Sequence, residues 1–152
     1  MECSCCNTED IYCGAIVIFY KGQGVSRKFL VVENAKTGNV TFVSGAQESD
    51  DKDLLQTAQR EVKEELGLDL LPEQFITTEV YHNFVYSTKK PERQGCRGSN
   101  KVFMVDTSDL PEIGHTAELK KLMWLTEKEV AQKLTFPDLR EVFKKVILQT
   151  GS

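Results

Sequence analysis

The stretch REVKEELGL, residues 60–68, decides how this chain is read, because it places three glutamates on one side of a helix. Glu61, Glu64 and Glu65 are spaced i, i+3 and i+4, so on a helix turning about 100° per residue they lie within an arc of about 100°. An apolar stripe of the same helix is centred about 110° away and consists of Leu55, Ala58, Val62 and Leu66. The acids therefore flank the face that the helix buries.

Two interpretations of the glutamates compete. Like charges one helical turn apart repel by a few tenths of a kcal/mol per pair, which Arg60 and Lys63 offset only in part. A hard divalent cation would reverse the sign of this interaction, since Mg2+ prefers oxygen ligands and is commonly held by carboxylates and substrate phosphates. For a glutamate triplet alone, a solvated helix with surface ion pairs is the commoner case. The surrounding sequence decides between them.

Upstream of the glutamates the chain reads FVSGAQESDDKDLLQTAQ, an apolar run followed by a glycine turn, an acidic loop and a helix. The pattern predicts a helix over residues 54–66, with Gly67 as its left-handed C-terminal cap. Ser49, Asp50 or Asp51 is the expected N-terminal cap.

This strand, loop and helix unit resembles the Nudix box, whose usual pattern is G-x5-E-x7-R-E-U-x-E-E-x-G-U, with U a bulky aliphatic residue. The second half of the box is matched at all seven fixed places, by Arg60, Glu61, Val62, Glu64, Glu65, Gly67 and Leu68. In the first half, counting back from Arg60, the box glutamate falls at Lys52 and the box glycine at Ala46. If Gly45 is the box glycine instead, Asp51 stands at the acid position and one extra residue precedes Arg60. A loop absorbs such a slip at little cost.

The resemblance implies a hydrolase that uses a divalent metal to cleave a pyrophosphate bond in a nucleoside diphosphate linked to another moiety. It implies that Glu61, Glu64 and Glu65 bind Mg2+ or Mn2+, and that one of them activates a water. The backbone carbonyl of Gly45 would be a further ligand. Arg60 would orient a glutamate through a charge-assisted hydrogen bond.

A fourth glutamate is suggested by the stretch GHTAELKKLMWL, where Glu118 precedes Trp124 by six residues. Members of the family often draw a metal ligand or a base from a loop before a strand that carries a tryptophan. Glu118 could equally be a surface acid paired with Lys120 or Lys121, so both roles stay open.

Candidate substrate contacts lie outside the box. The strand EVYHNFVYS carries Tyr81, Phe84 and Tyr86, which could stack a base, although an alternating aromatic strand more often packs the core. The stretch STKKPERQGCRGSNK, residues 87–101, looks like a long basic loop that either steers phosphates or is merely solvated. Its cations are Lys89, Lys90, Arg93, Arg97 and Lys101.

Composition restricts the class of protein. The chain has 152 residues, of which 40% are hydrophobic and 28% charged, and its net charge is -4. These values predict one soluble domain over residues 1–152, with residues 1–10 as a flexible N-terminal segment. The acidic balance argues against non-specific nucleic-acid binding and favours a small-molecule nucleotide as partner. Without a membrane-length apolar run or a signal-peptide pattern, we expect no membrane association and a cytoplasmic location.

Three of the five cysteines stand near the start of the chain, at Cys3, Cys5 and Cys6. They lack a second CxxC or a paired histidine motif, so a structural zinc site is not expected. Free thiols are favoured instead.

The periodicity predicts strands at residues 11–20, 29–33, 40–43, 75–86, 102–106 and 122–125. Two closing helices are expected, one opened by a capping box at Thr126 and Glu129 and the other by Thr135 with Pro137 and Asp138. This alternation of strands and helices along the chain suggests a mixed sheet between helical layers, in agreement with the α/β/α sandwich of the Nudix fold.

Within that family, the order of elements after the box looks like the diadenosine tetraphosphate hydrolase branch. The alternative function is a catalytically impaired Nudix-fold module that binds a nucleotide or a partner without cleaving it. Lys52 and Ala46 are the evidence for this alternative. The sequence leaves the oligomeric state open.

Overall fold

The computed structural model describes residues 12–85, 96–113 and 120–150. Its strands are β1 (Tyr12–Lys21), β2 (Lys28–Asn34), β3 (Val40–Thr41), β4 (Val43–Ala46), β5 (Ile76–Val85), β6 (Arg97–Asp106) and β7 (Lys120–Thr126). Its helices are α1 (Leu54–Leu66), α2 (Glu127–Lys133) and α3 (Pro137–Thr150). These elements confirm the predicted α/β class.

The described strands form one mixed sheet in which β3, β2, β1, β6 and β5 follow one another. β1 is parallel to β6, and β6 is antiparallel to β5. The other edge of β1 is shared, because its first half pairs with β4 while Tyr20 and Lys21 pair with β2. β7 pairs with β2 in antiparallel fashion. Gly14 and Ala15 at the start of β1 therefore lie directly beside β4.

Side chains that alternate along β1 divide the core between the two faces of the sheet. Ala15, Val17 and Phe19 pack on the face covered by α1. Ile16 and Ile18 pack on the face covered by α2 and α3. The structure is therefore the predicted α/β/α sandwich.

Two predicted strands differ from the structure by more than one or two residues at an end. Residues 40–43 form two strands rather than one, because the chain changes partner at Phe42, from β2 to β1. β6 begins at Arg97 rather than at residue 102, because Arg97 pairs with β5 and residues 98–101 lie between β1 and β5 in the sheet. Arg97 and Lys101 are therefore strand residues, and assigning them to the basic loop was wrong.

α1 has the predicted bounds, and Gly67 caps its C-terminus with a φ of 71°. Its N-terminal cap is Asp53, whose side chain accepts a hydrogen bond from the amide three residues further on. The prediction of Ser49, Asp50 or Asp51 was wrong, because Asp53 immediately precedes the first helical residue and reaches the free amides of the first turn.

The start of each closing helix is fixed by side-chain contacts. Thr126 and Glu129 form the predicted capping box of α2. α3 begins at Pro137, as predicted. Before it, the Thr135 hydroxyl accepts a hydrogen bond from the Val40 amide at 2.7 Å, and the Thr135 amide donates to the Val40 carbonyl at 3.2 Å. These bonds tie the beginning of α3 to β3.

Among the described cysteines, the buried Cys96 is disulfide-bonded and Cys13 is not, so the cysteines of the chain are not all thiols. Cys3, Cys5 and Cys6 lie outside the described residues. Across the ranges described, no helix has both the length and the apolar content needed to cross a bilayer.

Candidate active site

Arg60 is the centre of the site, because its guanidinium joins β4, the loop before α1 and α1 itself. Its Nη2 donates to the Ala46 carbonyl at 2.8 Å and to the Asp51 carboxylate at 3.0 Å. Its Nη1 faces three carboxylates, those of Glu61 at 2.9 Å, Glu64 at 3.2 Å and Glu48 at 3.4 Å. One cation therefore holds the acidic side of the helix against the sheet.

Asp51 is the acid of the loop before α1 that contacts Arg60. Its side chain is only 6% exposed and accepts hydrogen bonds from Arg60, from the Thr57 hydroxyl at 3.0 Å and from the Glu48 amide at 2.9 Å. The hydrogen bonds from Arg60 are the main reason that the pKa of the Asp51 carboxyl falls to about 2. Lys52, the residue that counting places at the acid position, is exposed. Asp51, rather than Lys52, is thus the residue of this loop that meets Arg60.

Gly45 leaves the space that the Glu61 carboxylate occupies. A Cβ on Gly45 would lie 2.0 Å from that carboxylate, so any larger residue would displace it. The Glu61 side chain is 13% exposed. Burial raises the pKa of its carboxyl, the charges of Glu64 and Glu65 add to the effect, and Arg60 opposes it. The site therefore concentrates negative charge in a partly buried position.

The donor atoms suit a hard divalent cation. The carboxylates of Glu61, Glu64 and Glu65 and the carbonyl of Gly45 are all oxygen ligands, the kind that Mg2+ and Mn2+ take. Among the residues that the structure describes, no three His, Cys, Asp or Glu side chains are gathered as a metal-binding group. Glu61 and Glu64 both pair with Arg60. The residues fit the ion by their chemistry and by their common helix face.

An aromatic cleft of about 190 Å³ lies on the face of the sheet that α3 covers. The rings of His82 and Phe84, both on β5, are stacked with centroids 5.0 Å apart and planes inclined by 26°. The Phe84 ring lies over Gly98 on β6, where a Cβ would come within 2.4 Å of its Cζ. The remaining lining residues are Ile16, Thr41, Phe42, Ser44, Asn100, Phe136 and Leu139.

The cleft and the acidic edge of α1 meet at Gly14. A Cβ on Gly14 would lie 2.4 Å from the Asn100 Oδ1 atom and 2.5 Å from the Gly45 carbonyl oxygen, so these two oxygens converge there. Asn100 lines the cleft, whereas Gly45 contacts Glu61. Ser44 lines both the cleft and a neighbouring pocket that Glu65 borders. The cleft and the pocket beside Glu65 therefore adjoin at Ser44.

His82 connects the cleft to the first turn of α3. Its Nε2 lies 2.6 Å from the Asp138 Oδ2 atom. Burial acts to raise the pKa of Asp138, but the hydrogen bonds from His82 and from backbone amides outweigh burial and hold that pKa below its ordinary value. The sequence interpretation missed His82, Asp138 and Asn100 as site residues. The one available signal was alternation, which puts His82 on the same side of β5 as Phe84.

The structure separates two predicted substrate residues. Tyr81 and Phe84 are three positions apart on β5, so their side chains point to opposite faces of the sheet. Tyr81 is 44% exposed and has the Lys101 ammonium 6.0 Å from its ring centroid, whereas Phe84 lines the cleft. They cannot form one stacking platform. Five further predicted site residues lie outside the described ranges, namely Tyr86, Lys89, Lys90, Arg93 and Glu118.

Similarity to known proteins was found at the level of family and of fold. The family model for the NUDIX domain matches residues 13–146. No curated protein matches the sequence. Among solved structures, the Ap4A hydrolase of C. elegans is 15% identical with a TM-score of 0.68, and the match covers 93% of this chain and 100% of that one.

Two further solved structures share the fold. The dihydroneopterin triphosphate pyrophosphohydrolase of E. coli is 20% identical with a TM-score of 0.72, and the match covers 91% of this chain and 99% of that one. The NUDIX domain of NrtR from Shewanella oneidensis, complexed with ADP ribose, is 12% identical with a TM-score of 0.66. The match covers 95% of this chain and 92% of that one. At such identities these matches establish the fold alone. The family model spans most of the chain, including Arg60 and its carboxylates, and the chain therefore belongs to the NUDIX domain family, as a Nudix-type hydrolase.

Proposed function

We propose that this protein is a divalent-metal-dependent pyrophosphohydrolase that cleaves a nucleoside diphosphate linked to another moiety. The observation that carries the proposal is the junction at Gly14, where the Gly45 carbonyl on the acidic edge meets Asn100 in the aromatic cleft. A polyphosphate bound at the acids would have its nucleoside end beside the cleft.

The proposed metal ligands are the carboxylates of Glu61, Glu64 and Glu65 and the carbonyl of Gly45, with Mg2+ or Mn2+ as the ion. When bound, such an ion neutralises phosphate charge and lowers the pKa of a coordinated water. The partial burial of Glu61 supports the assignment, because a buried carboxylate gains most from a nearby cation.

Arg60 would keep the glutamates in position. Its bonds to Asp51 and to the Ala46 carbonyl fix one side of the guanidinium, which leaves Nη1 directed at Glu61. The base that takes the proton of the attacking water is one of the box glutamates or Glu118. Glu118 lies outside the described residues, so its role stays a prediction from the sequence.

The cleft is the proposed site of a nucleobase. Its volume of about 190 Å³ is below the range of roughly 300–1,000 Å³ for complete small-molecule sites, so it suits a flat ring rather than a whole nucleotide. Aromatic faces at His82 and Phe84 are available for stacking. The Asn100 amide, at the end nearest the acids, can both donate and accept hydrogen bonds.

Lys89, Lys90 and Arg93 are proposed to steer phosphates toward the acidic edge. With a net charge of -4, the protein as a whole repels an anionic substrate, and a local cluster of cations would offset that repulsion. Replacing all three by glutamine should raise KM and weaken its dependence on salt. An unchanged KM with an unchanged salt dependence would refute this role.

Dinucleoside polyphosphates are the first candidate substrates. The order of elements after the box supports this class, and the Ap4A hydrolase of C. elegans shares the fold. Triphosphates and ADP-ribose belong in the same test, because solved structures of this fold include a dihydroneopterin triphosphate pyrophosphohydrolase and a NUDIX domain complexed with ADP ribose. A small-molecule nucleotide is thus the proposed partner, and we expect no non-specific nucleic-acid binding. Cytoplasmic location and a single domain over residues 1–152 stay predictions of the sequence.

A catalytically impaired binding module is the alternative, and it depends on Lys52 and Ala46. Both departures from the box are compatible with an assembled site, since Asp51 meets Arg60 and the Ala46 carbonyl accepts a hydrogen bond from it. These contacts favour the enzyme over the impaired module.

The test is product release from a panel of dinucleoside polyphosphates, nucleoside triphosphates, nucleotide sugars, ADP-ribose and capped RNA. Each substrate is incubated with Mg2+, with Mn2+ or with EDTA. We expect metal-dependent cleavage of one class, with nucleoside monophosphate or a longer nucleotide among the products. Folded protein that cleaves nothing in the panel would refute the proposal and favour the binding module.

A further inference from the structure

We propose that Asp138 is a positioning residue, which holds the His82 ring and, through it, the Phe84 ring as the wall of the nucleoside cleft. The inference rests on the proposed function, because it takes the cleft as the site of a base. It concerns the affinity for substrate rather than the chemical step.

The hydrogen bond between the two residues has a defined direction. His82 Nε2 and Asp138 Oδ2 are 2.6 Å apart, and an ionised carboxylate can only accept, so Nε2 carries the proton. The His82 side chain is 13% exposed, whereas that of Asp138 is 51% exposed. Asp138 therefore lies at the rim and holds a ring that lies inside.

Without this bond the orientation of the imidazole would be weakly determined. The second side-chain torsion of histidine has a broad preference, so packing or a hydrogen bond must select its value. His82 stacks directly on Phe84, and Phe84 in turn lies over Gly98. A rotation of His82 would therefore disturb the aromatic surface offered to a base.

Asp138 is itself held firmly. It is the second residue of α3, after Pro137, whose fixed φ favours the first helical position. Thr135 is hydrogen-bonded to Val40 in both directions just before the helix. At the far end of α3, the Gln149 side chain accepts a hydrogen bond from the Glu79 amide of β5 at 2.8 Å. The helix is thus attached to the sheet near both of its ends.

A purely structural role for Asp138 has to be separated from this one. An acid in the first turn of a helix favours the helix through its dipole, and a half-exposed ion pair adds little to stability. The dipole effect does not depend on the histidine, whereas the ion pair with His82 does and would change thermal stability. A double-mutant cycle with His82 therefore has to be measured on KM and Kd as well as on thermal unfolding, because only a positioning effect changes binding and disappears when the imidazole is absent.

The experiment compares wild type with Asp138→Ala, Asp138→Asn, His82→Phe and the double variant Asp138→Ala/His82→Phe. For each protein, kcat and KM are measured on the substrate found in the panel, and the Kd of adenosine is measured in EDTA by NMR titration. Asp109→Ala, at another exposed acid, is the matched control. Thermal unfolding reports the structural contribution.

We expect Asp138→Ala to raise KM and the adenosine Kd about three- to tenfold with kcat nearly unchanged. Asp138→Asn should restore part of the affinity, because its amide oxygen still accepts from Nε2–H. In the His82→Phe background, Asp138→Ala should have no further effect on KM or Kd. Asp109→Ala should leave all constants unchanged.

Equal effects of Asp138→Ala in both backgrounds would overturn the inference, as would a lower melting temperature with unchanged KM and Kd. Failure of wild type to bind adenosine would overturn it as well. If wild type hydrolyses no substrate while the adenosine cycle behaves as expected, the proposed function fails and the positioning role stands.

Discussion

At the scale of residues, the site depends on how Arg60 distributes its hydrogen bonds. Asp51 accepts hydrogen bonds from the Nε and Nη2 atoms of the guanidinium, and the remaining nitrogen, Nη1, faces the glutamates of α1. Changing a residue that supports metal ligands in this way commonly lowers metal affinity or activity by about 10- to 100-fold. Asp51 should therefore matter for turnover although it is not a proposed ligand.

Asp51→Asn should lower kcat/KM by about 10- to 100-fold, because the amide cannot hold Arg60 by charge. Lys52→Gln is the matched control, since Lys52 is exposed and adjacent in sequence. It should change neither kcat/KM nor the free energy of unfolding appreciably. Steady-state kinetics on both variants provide the comparison, and a larger loss in Lys52→Gln would show that Asp51 has been misassigned.

The same aspartate should make stability depend on acid pH. Its pKa is about 2 in the folded state against an ordinary value of 3.8, so its contribution is complete above pH 4 and is lost as the pH falls through 2. We expect wild type to lose stability over that interval by more than Asp51→Asn does. Urea unfolding at pH 2 to 5 measures the difference, and parallel pH dependences would contradict the assignment.

Gly45 and Ala46 give a second matched pair of neighbours. Gly45→Ala should abolish most activity with only a small loss of stability, because the new methyl group displaces the Glu61 carboxylate, which is the end of a flexible side chain. Ala46→Gly should cost no more than about 1 kcal/mol and keep the activity. Denaturant unfolding and kinetics measure both effects. Full activity in Gly45→Ala would show that Glu61 need not lie against β4.

At the scale of elements, α1 is defined by local signals. Asp53→Ala should lower the free energy of unfolding by about 0.5–2 kcal/mol, because its carboxylate caps the first turn. Asp50→Ala, at an exposed loop position where the sequence also allowed a cap, should have almost no effect. Chemical denaturation of the two variants tests this. A larger loss for Asp50→Ala would place the helix start elsewhere.

The bounds of α1 could be predicted from sequence, because its apolar period and Gly67 are local features. The split between β3 and β4 could not, since the change of partner at Phe42 depends on strands distant in the chain. The early start of β6 was hidden by polar residues that pair through their backbones. For the same reason, the bond between His82 and Asp138 has no signature in the sequence.

At the scale of the whole molecule, the sandwich brings together two regions that lie on opposite faces of the sheet. α1 presents the acids at one edge, and β5, β6 and α3 form the cleft on the other face. Gly14 and Gly45 have no side chains. The Gly45 carbonyl oxygen and the Asn100 Oδ1 atom of the cleft therefore both lie close to Gly14, and the Glu61 carboxylate lies against Gly45. The residues of the box could therefore be predicted from sequence, whereas their neighbours in the cleft required the fold.

The measurement that tests the central claim most directly is turnover of wild type, Glu65→Gln and Glu73→Gln with Mg2+ and with EDTA. Glu65 is a proposed ligand, and Glu73 is an exposed acid on the turn after α1. We predict that EDTA stops the reaction, that Glu65→Gln loses at least about 100-fold in kcat without unfolding, and that Glu73→Gln equals wild type. Turnover that survives EDTA, or a fully active Glu65→Gln, would contradict the account.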